Sequence, residues 1–99
     1  MTAAEVLAMV PQARPMRFIE EILELDDEHI LATYTWKEED CEGHFPGYPV
    51  VPGVKLIEMA AQVGSVAWCI YHLARTNTPE ELRQMVGFFT DIERGVFKK

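Results

Sequence analysis

A stretch rich in glycine, proline and apolar residues decides the fold of this chain. Residues 43–75 read GHFPGYPVVPGVKLIEMAAQVGSVAWCIYHLAR. The first eleven of these residues include three glycines and three prolines, so they form neither a helix nor a central strand. The prolines make the segment stiff, and a stiff loop with apolar side chains usually holds another group in place.

The remainder of this stretch, from Val54 to Arg75, predicts one long helix. Its polar or less apolar positions recur at steps of three and four residues: Lys55, Glu58, Gln62, Ser65, Cys69 and His72. The other positions are apolar over most of the circumference, a pattern typical of a buried helix. We therefore expect a helix about 30 Å long that packs against a sheet or a second chain.

The flanking segments predict two short helices and a β-hairpin. Thr2-Ala3-Ala4-Glu5 is a capping box that begins a helix ending before Pro11, and Thr78-Pro79-Glu80-Glu81 begins another. Residues 14–25 and 29–36 predict two strands joined by the acidic turn at 26–28. A further long strand is expected over residues 85–97.

Composition and charge restrict the class of protein. The chain has 99 residues, of which 48% are hydrophobic, and a net charge of -7, which predicts a single globular domain over 1–99. Residues 1–50 carry 11 acidic and 3 basic side chains, which argues against nucleic acid as a partner. Polar residues interrupt the apolar run after Glu58, so no membrane span is expected. The N-terminal residues do not resemble a signal peptide. Two cysteines are too few for a disulfide scaffold or a thiolate metal site. The chain is therefore expected in the cytoplasm.

The loop and the start of the predicted helix bring together groups suited to acid–base chemistry. The amide of Gly53 can stabilise a carbonyl oxygen that becomes negative during a reaction. Glu58 is a candidate proton donor, because desolvation on an apolar helix raises a carboxyl pKa; Lys55 is placed to pair with it and oppose that shift. His44 suits a general base. Taken singly, His44, Glu58 and Gly53 also have ordinary structural explanations.

The combined pattern of residues 43–62 is more specific than any of its parts. It reads G-H-F-P-G-x-P-x-x-P-G-V-x-x-I-E-x-x-A-Q and resembles the signature of the β-hydroxyacyl-acyl-carrier-protein dehydratase family, which has the hot-dog fold. Residues 11–20 are more weakly similar to the opening strand of that family, and residues 88–98 to the strand after its central helix. Glutamate at position 58 is similar to the FabZ type, since the FabA type has aspartate there.

The resemblance implies an α+β hot-dog domain, with an antiparallel sheet wrapped around the long central helix. Family members continue beyond the position of Lys99 with strands that complete the sheet. The last strands are therefore expected to be missing here, either because the chain is a fragment or because a partner supplies them. The resemblance further implies a homodimer, or a higher oligomer, whose histidine and glutamate meet across subunits, with no metal or cofactor.

The activity implied by the resemblance is dehydration of 3-hydroxyacyl thioesters to trans-2-enoyl thioesters in fatty-acid or polyketide synthesis. His44 would take the α-proton, the Gly53 amide would stabilise the enolate-like oxygen, and Glu58 would protonate or orient the departing hydroxyl. The substrate would be carried by acyl carrier protein or coenzyme A. Its acyl chain would contact the following predicted substrate-binding residues: Phe45, Pro52, Val54, Ile57 and Gln62.

Two alternatives remain open from the sequence. A hot-dog thioesterase shares the fold and the substrate class, but the intact His44/Glu58 pair favours dehydration. A non-catalytic subunit of a hetero-oligomeric hot-dog complex is favoured by the short chain and disfavoured by the same intact pair.

Overall fold

The computed structural model describes residues 1–84, which form an α+β arrangement of one long helix, shorter helices and a two-stranded antiparallel sheet. The elements in chain order are α1 (Ala3–Met9), β1 (Glu21–Leu25), β2 (Ile30–Thr33), a 3₁₀ turn (Glu38–Cys41), α2 (Gly53–Leu73) and α3 (Pro79–Arg83). The strand predicted over residues 85–97 lies outside the described residues.

Both predicted capping boxes are present. The Thr2 hydroxyl accepts a hydrogen bond from the Glu5 amide at 3.2 Å, and the Glu5 carboxylate accepts one from the Thr2 amide at 3.0 Å. Thr78 and Glu81 make the same reciprocal pair at the start of α3. Each pair satisfies two main-chain donors that a helix leaves free at its first turn. The predicted starts of α1 and α3 are confirmed.

The β-hairpin forms where it was predicted but is shorter. β1 has five residues and β2 has four. Outside them, the amide of Phe18 donates to the side chain of Gln62 at 2.8 Å, and the amide of Thr35 donates to the side chain of Glu20 at 3.2 Å. The predicted extents, 14–25 and 29–36, are therefore wrong, because side chains take main-chain donors that a longer ladder would need.

The turn of the hairpin is closed by one acidic side chain. Asp26 Oδ1 accepts hydrogen bonds from the amides of Glu28 at 2.7 Å and His29 at 2.9 Å. These bonds explain why the pKa of Asp26 is lowered from its ordinary value. The acidic turn is therefore exposed to solvent, as predicted, and is also closed by hydrogen bonds.

The core lies where α1 and the hairpin meet the middle of α2. Its buried apolar residues are Val6, Val10, Ile19, Ile22 and Ala67. Phe18, which is fully buried, begins an aromatic cluster with the rings of Tyr34 and Trp36, whose centroids lie 5.6 Å and 5.2 Å away. The cluster connects the end of the hairpin to the segment that leads into the glycine- and proline-rich loop.

The long helix α2 is confirmed, and in residues 1–84 of one copy it is covered on one face. Of its 21 residues only Gln62 and Ala67 are buried, and Val54 is 72% exposed. The physical reason is that α1 and the hairpin cover only one face. A π-helical segment at Gln62–Ala67 lies at that covered face. By length and composition alone α2 could cross a bilayer, a test that core helices of globular proteins also pass.

Candidate active site

The loop between the 3₁₀ turn and α2 is held by its own main chain. Phe45 and Tyr48 exchange two amide-to-carbonyl hydrogen bonds, each 2.9 Å long, and the amide of Val50 donates to the carbonyl of His44 at 2.7 Å. Gly43 and Gly47 have φ angles of 81° and 75°, the left-handed region that favours glycine. The stiffness predicted from the prolines is thus reinforced by hydrogen bonds.

The imidazole of His44 is oriented by this loop. Its Nδ1 lies 2.9 Å from the carbonyl oxygen of Val50. A carbonyl only accepts, so Nδ1 carries a hydrogen, and in the neutral form of the ring the lone pair lies on Nε2. The ring is half-buried and stacks on Phe45, with centroids 4.4 Å apart. The geometry therefore leaves Nε2 as the ring nitrogen that is not engaged in the anchoring bond.

The start of α2 leaves main-chain donors available next to this loop. Pro52 is the residue before the helix, and no side chain caps the first turn. The amide of Lys55 donates to the carbonyl of Pro52 at 2.9 Å, whereas the earlier amides, including that of Gly53, have no side-chain partner among the described residues. Free amides at the start of a long helix favour negative charge.

Glu58 is half-buried on α2 and is held by Gln62 one turn further on. The Gln62 side-chain amide donates to Glu58 Oε2 at 2.7 Å and to the carbonyl of Met16 at 2.6 Å. Its oxygen accepts from the amide of Phe18 at 2.8 Å. Gln62 is 0% exposed. The side-chain amide of Gln62 is thus held by main-chain hydrogen bonds at both its oxygen and its nitrogen, and it fixes one oxygen of the Glu58 side chain.

Lys55 does not pair with Glu58, and that expectation is wrong. Its Nζ donates to the main-chain carbonyl of Asp40 at 2.7 Å. This contact lies across the loop, at the end of the 3₁₀ turn. The ammonium is therefore drawn away from Glu58, and the opposing effect that the sequence suggested for this pair is absent.

Asp40 is a buried carboxylate close to the candidate site. Its side chain accepts from the Tyr34 hydroxyl at 2.7 Å and from the Lys37 amide at 3.0 Å. Burial by itself would raise the pKa of Asp40, but these hydrogen bonds and the nearby cations of Arg14 and Lys37 lower it below its usual value. The carboxylate is therefore charged at neutral pH.

No sequence signal singled out Asp40. It is one of four acidic residues in the run KEEDCE at 37–42, and such runs are usually solvated. A partial signal is that Tyr34 and Trp36 alternate along the chain after β2. Alternate residues of an extended segment share one face, and from this face the Tyr34 hydroxyl donates to Asp40 in the 3₁₀ turn. Only the tertiary contact identifies which carboxylate is inside.

Within residues 1–84 of one chain, His44 and Glu58 have separate hydrogen-bond partners. His44 is bonded to Val50 and Glu58 to Gln62, and in residues 1–84 no hydrogen bond joins His44 to Glu58. The loop and helix start around them expose apolar side chains, whose exposed fractions are 55% for Phe45 and 72% for Val54. Both are predicted substrate contacts; the other two apolar ones, Pro52 and Ile57, are half-buried.

A groove lies elsewhere on the molecule, away from the loop and the start of α2. A groove of about 680 Å³ runs between α1, the second half of α2 and α3, and its apolar lining includes Met9, Val66, Ile70 and Leu82. Neither His44 nor Glu58 lines it. This groove is therefore separate from the two candidate acid–base groups.

The sequence that carries these groups matches a known family. Residues 23–87, more than half of the chain, match the ApeI-like family, described as ApeI dehydratase. The chain belongs to the ApeI-like dehydratase family. The predicted membership of a dehydratase family is thereby confirmed, and the matched segment includes His44, Gly53 and Glu58.

Curated relatives of this ApeI-like dehydratase family member are named 3-hydroxyacyl-[acyl-carrier-protein] dehydratase FabZ. The protein of Oenococcus oeni is 46% identical over 70 residues, which cover 68% of this chain and 50% of that protein. The protein of Enterococcus faecalis is 46% identical over 69 residues, covering 67% and 48%. The protein of Streptococcus pyogenes serotype M3 is 35% identical over 101 residues, covering 100% and 67%. The chain spans about half the length of the first two relatives, and the FabZ names agree with the type predicted from Glu58.

Proposed function

We propose that this chain catalyses the dehydration of 3-hydroxyacyl thioesters to trans-2-enoyl thioesters, with acyl carrier protein as the thioester carrier. The observation that carries the proposal is the hydrogen bond from His44 Nδ1 to the Val50 carbonyl, 2.9 Å long. It commits the proton to Nδ1 and leaves Nε2 as the base. The carrier follows the names of the FabZ relatives, and the reaction belongs in cytoplasmic fatty-acid synthesis.

The proposed reaction moves two protons and releases water. His44 Nε2 takes the proton from the carbon next to the thioester carbonyl, and the electron pair of that C–H bond becomes the new double bond. The Gly53 amide and the positive end of α2 stabilise the charge that develops on the carbonyl oxygen. The C–O bond to the β-hydroxyl breaks as Glu58, in its protonated form, gives that oxygen a proton, so that it leaves as water. The proton taken by His44 then returns to Glu58 before the next turnover.

Gln62 has a supporting role in this proposal rather than a substrate contact. Its side-chain amide is fully buried and is already bonded to Phe18, Met16 and Glu58. It therefore holds the Glu58 carboxylate in one orientation, with the other oxygen directed to the substrate. The apolar contacts predicted for the acyl chain, Phe45, Pro52, Val54 and Ile57, remain part of the proposal.

We further propose that the complete site forms between two copies of the chain in a hot-dog arrangement. The support is physical: one copy leaves His44 and Glu58 unconnected and leaves most of α2 outside the core. A second copy that covers the exposed apolar surface at Phe45 and Val54 would remove that surface from water. The acyl chain would then lie between the subunits.

The test of the activity is hydration of a crotonyl thioester, the reverse reaction, followed by loss of the enoyl absorbance. His44→Gln and Glu58→Gln are each expected to abolish hydration, because each removes one of the two proton-transfer groups. The matched controls are His72→Gln, at the end of α2, and Glu80→Gln, an exposed position of α3; both should retain the wild-type rate. Release of free thiol instead of hydration would indicate a thioesterase, and turnover only after a partner protein is added would indicate a subunit of a hetero-oligomer.

The shared site has its own test. Equal amounts of His44→Gln and Glu58→Gln protein, mixed and allowed to exchange subunits, give dimers of which about half are mixed, each with one intact site of two. The mixture is therefore expected to recover about a quarter of the wild-type activity. No recovery after demonstrated exchange would contradict the two-copy site.

A further inference from the structure

Asp40 stands out because its carboxylate is 2% exposed while it lies only four residues before His44. A buried carboxylate is costly unless hydrogen bonds and cations compensate for the lost water. The described residues supply both kinds of compensation, so the position is built for a charged side chain. The dehydration chemistry proposed above makes no use of this group.

The side chain of Asp40 anchors the 3₁₀ turn that leads to His44. Its Oδ2 accepts from the Tyr34 hydroxyl at 2.7 Å and from the Lys37 amide at 3.0 Å, and Arg14 Nη2 lies 3.9 Å from Oδ1. At the other end of this turn, the carbonyl of Cys41 accepts from the His44 amide at 2.8 Å. Hydrogen bonds therefore hold both Asp40 and the next residue, Cys41, and so connect the aromatic cluster to His44 through one turn of the main chain.

The main chain of Asp40 anchors the start of α2. Its carbonyl accepts from Lys55 Nζ at 2.7 Å, and Lys55 lies in the first turn of the helix, two residues after Gly53. The same residue thus contacts both structural parts that carry the proposed acid–base site. The loop between them runs from residue 43 to residue 52 and is closed by this contact.

We propose that Asp40 is a positioning residue which, with Lys55, fixes the imidazole of His44 relative to the first turn of α2. The inference rests on the proposed function, because it assigns a consequence for catalysis to a group that touches no substrate. A displacement of His44 of about 1 Å would lower the rate by up to about a hundredfold. An apolar side chain at position 40 would fill the space but would leave the Tyr34 hydroxyl and the Lys37 amide without their acceptor.

The test compares Asp40→Ala, Asp40→Asn and Lys55→Met in the crotonyl thioester assay. Asp40→Ala is expected to lower kcat about tenfold or more while KM stays near the wild-type value, since the acyl-binding residues are unchanged. Asp40→Asn should recover most of the rate, because its side-chain oxygen can still accept both hydrogen bonds. Lys55→Met removes the hydrogen bond from Lys55 Nζ to the main-chain carbonyl of Asp40 and leaves no buried charge. It should therefore also lower kcat.

The matched control is Glu39→Gln, at the adjacent exposed residue, which removes the charge from the 2.8 Å contact with Arg14 but leaves Asp40 in place. It should keep the wild-type kcat. Wild-type kcat in both Asp40→Ala and Lys55→Met would overturn the proposal. A rise in KM with an unchanged kcat would also overturn it, since that result indicates a binding role.

Hydrogen exchange at the His44 amide requires no catalytic turnover, so it tests the positioning contact independently of the proposed function. The His44 amide donates to Cys41, so its hydrogen exchange reports the turn directly. Exchange is expected to quicken about tenfold in Asp40→Ala and to stay unchanged in Glu39→Gln. If the wild type fails to hydrate any thioester but this exchange pattern holds, the function is wrong and the positioning contact stands. Unchanged exchange in Asp40→Ala would refute the contact itself.

Discussion

Replacing Gln62 with methionine tests the connection between the core and Glu58. Gln62 is 0% exposed, and its amide bonds the amide of Phe18 at 2.8 Å, the carbonyl of Met16 at 2.6 Å and Glu58 Oε2 at 2.7 Å. Methionine has a similar length and shape but makes none of these hydrogen bonds. The substitution therefore removes three contacts with little change in packing.

The expected change in the free energy of unfolding depends on how deeply each former hydrogen-bond partner of Gln62 is buried. Phe18 is fully buried, so its amide would stay unsatisfied at a cost of about 1–3 kcal/mol. The Met16 carbonyl and the Glu58 carboxylate are only partly buried, and water recovers part of their loss. The better transfer of a thioether into the core offsets about 1 kcal/mol. We expect the free energy of unfolding to fall by about 2–3 kcal/mol, a large share of the stability of a small domain.

The assay is urea unfolding followed by tryptophan fluorescence at one fixed protein concentration, because association shifts apparent stability. Trp36 is a suitable reporter, since its ring lies 5.2 Å from that of Phe18. Gln84→Met, at an exposed position, is the control and should change the free energy by less than about 0.5 kcal/mol. A change for Gln62→Met as small as that of the control would refute the role given to the three hydrogen bonds.

Two further predictions concern the loop and the hairpin. Gly47→Ala should lower the free energy of unfolding by about 1–2 kcal/mol, because the φ of 75° at this position disfavours a side chain. Gly64→Ala has open space around the added carbon and should raise the free energy of unfolding by up to about 1 kcal/mol. Equal effects of the two substitutions in urea unfolding would contradict this reasoning. The pKa of His29 is raised, first by the Glu24 carboxylate and then by Asp26, so protonated His29 stabilises the fold below its ordinary pKa and this contribution disappears as pH rises through the folded value. Wild type should therefore exceed His29→Gln in urea midpoint at pH 5.5 and match it at pH 9, whereas an equal difference at both values would show that the ion pairs contribute nothing.

The chain's local elements could be predicted because each depends on neighbouring residues. The Thr2 and Thr78 capping boxes and the periodicity of α2 are local patterns, and all three are confirmed. The family was indicated by the resemblance of residues 43–62 to its signature, and the match of residues 23–87 confirmed it. The roles of His44 and Glu58 remain proposals, since residues 1–84 of one copy bring no hydrogen bond between them.

The amino-acid sequence by itself determined the capped helices, the stiff loop and the long apolar helix, because these follow from spacing along the chain, and its resemblance at residues 43–62 indicated the dehydratase family. The tertiary structure alone decided which polar groups meet. In the folded chain Lys55 donates to the carbonyl of Asp40 and does not pair with Glu58, and the Asp40 carboxylate is buried. The amide of Phe18 donates to the side chain of Gln62. Such choices depend on competition among donors and acceptors brought together from distant positions, and no local pattern encodes which partner wins.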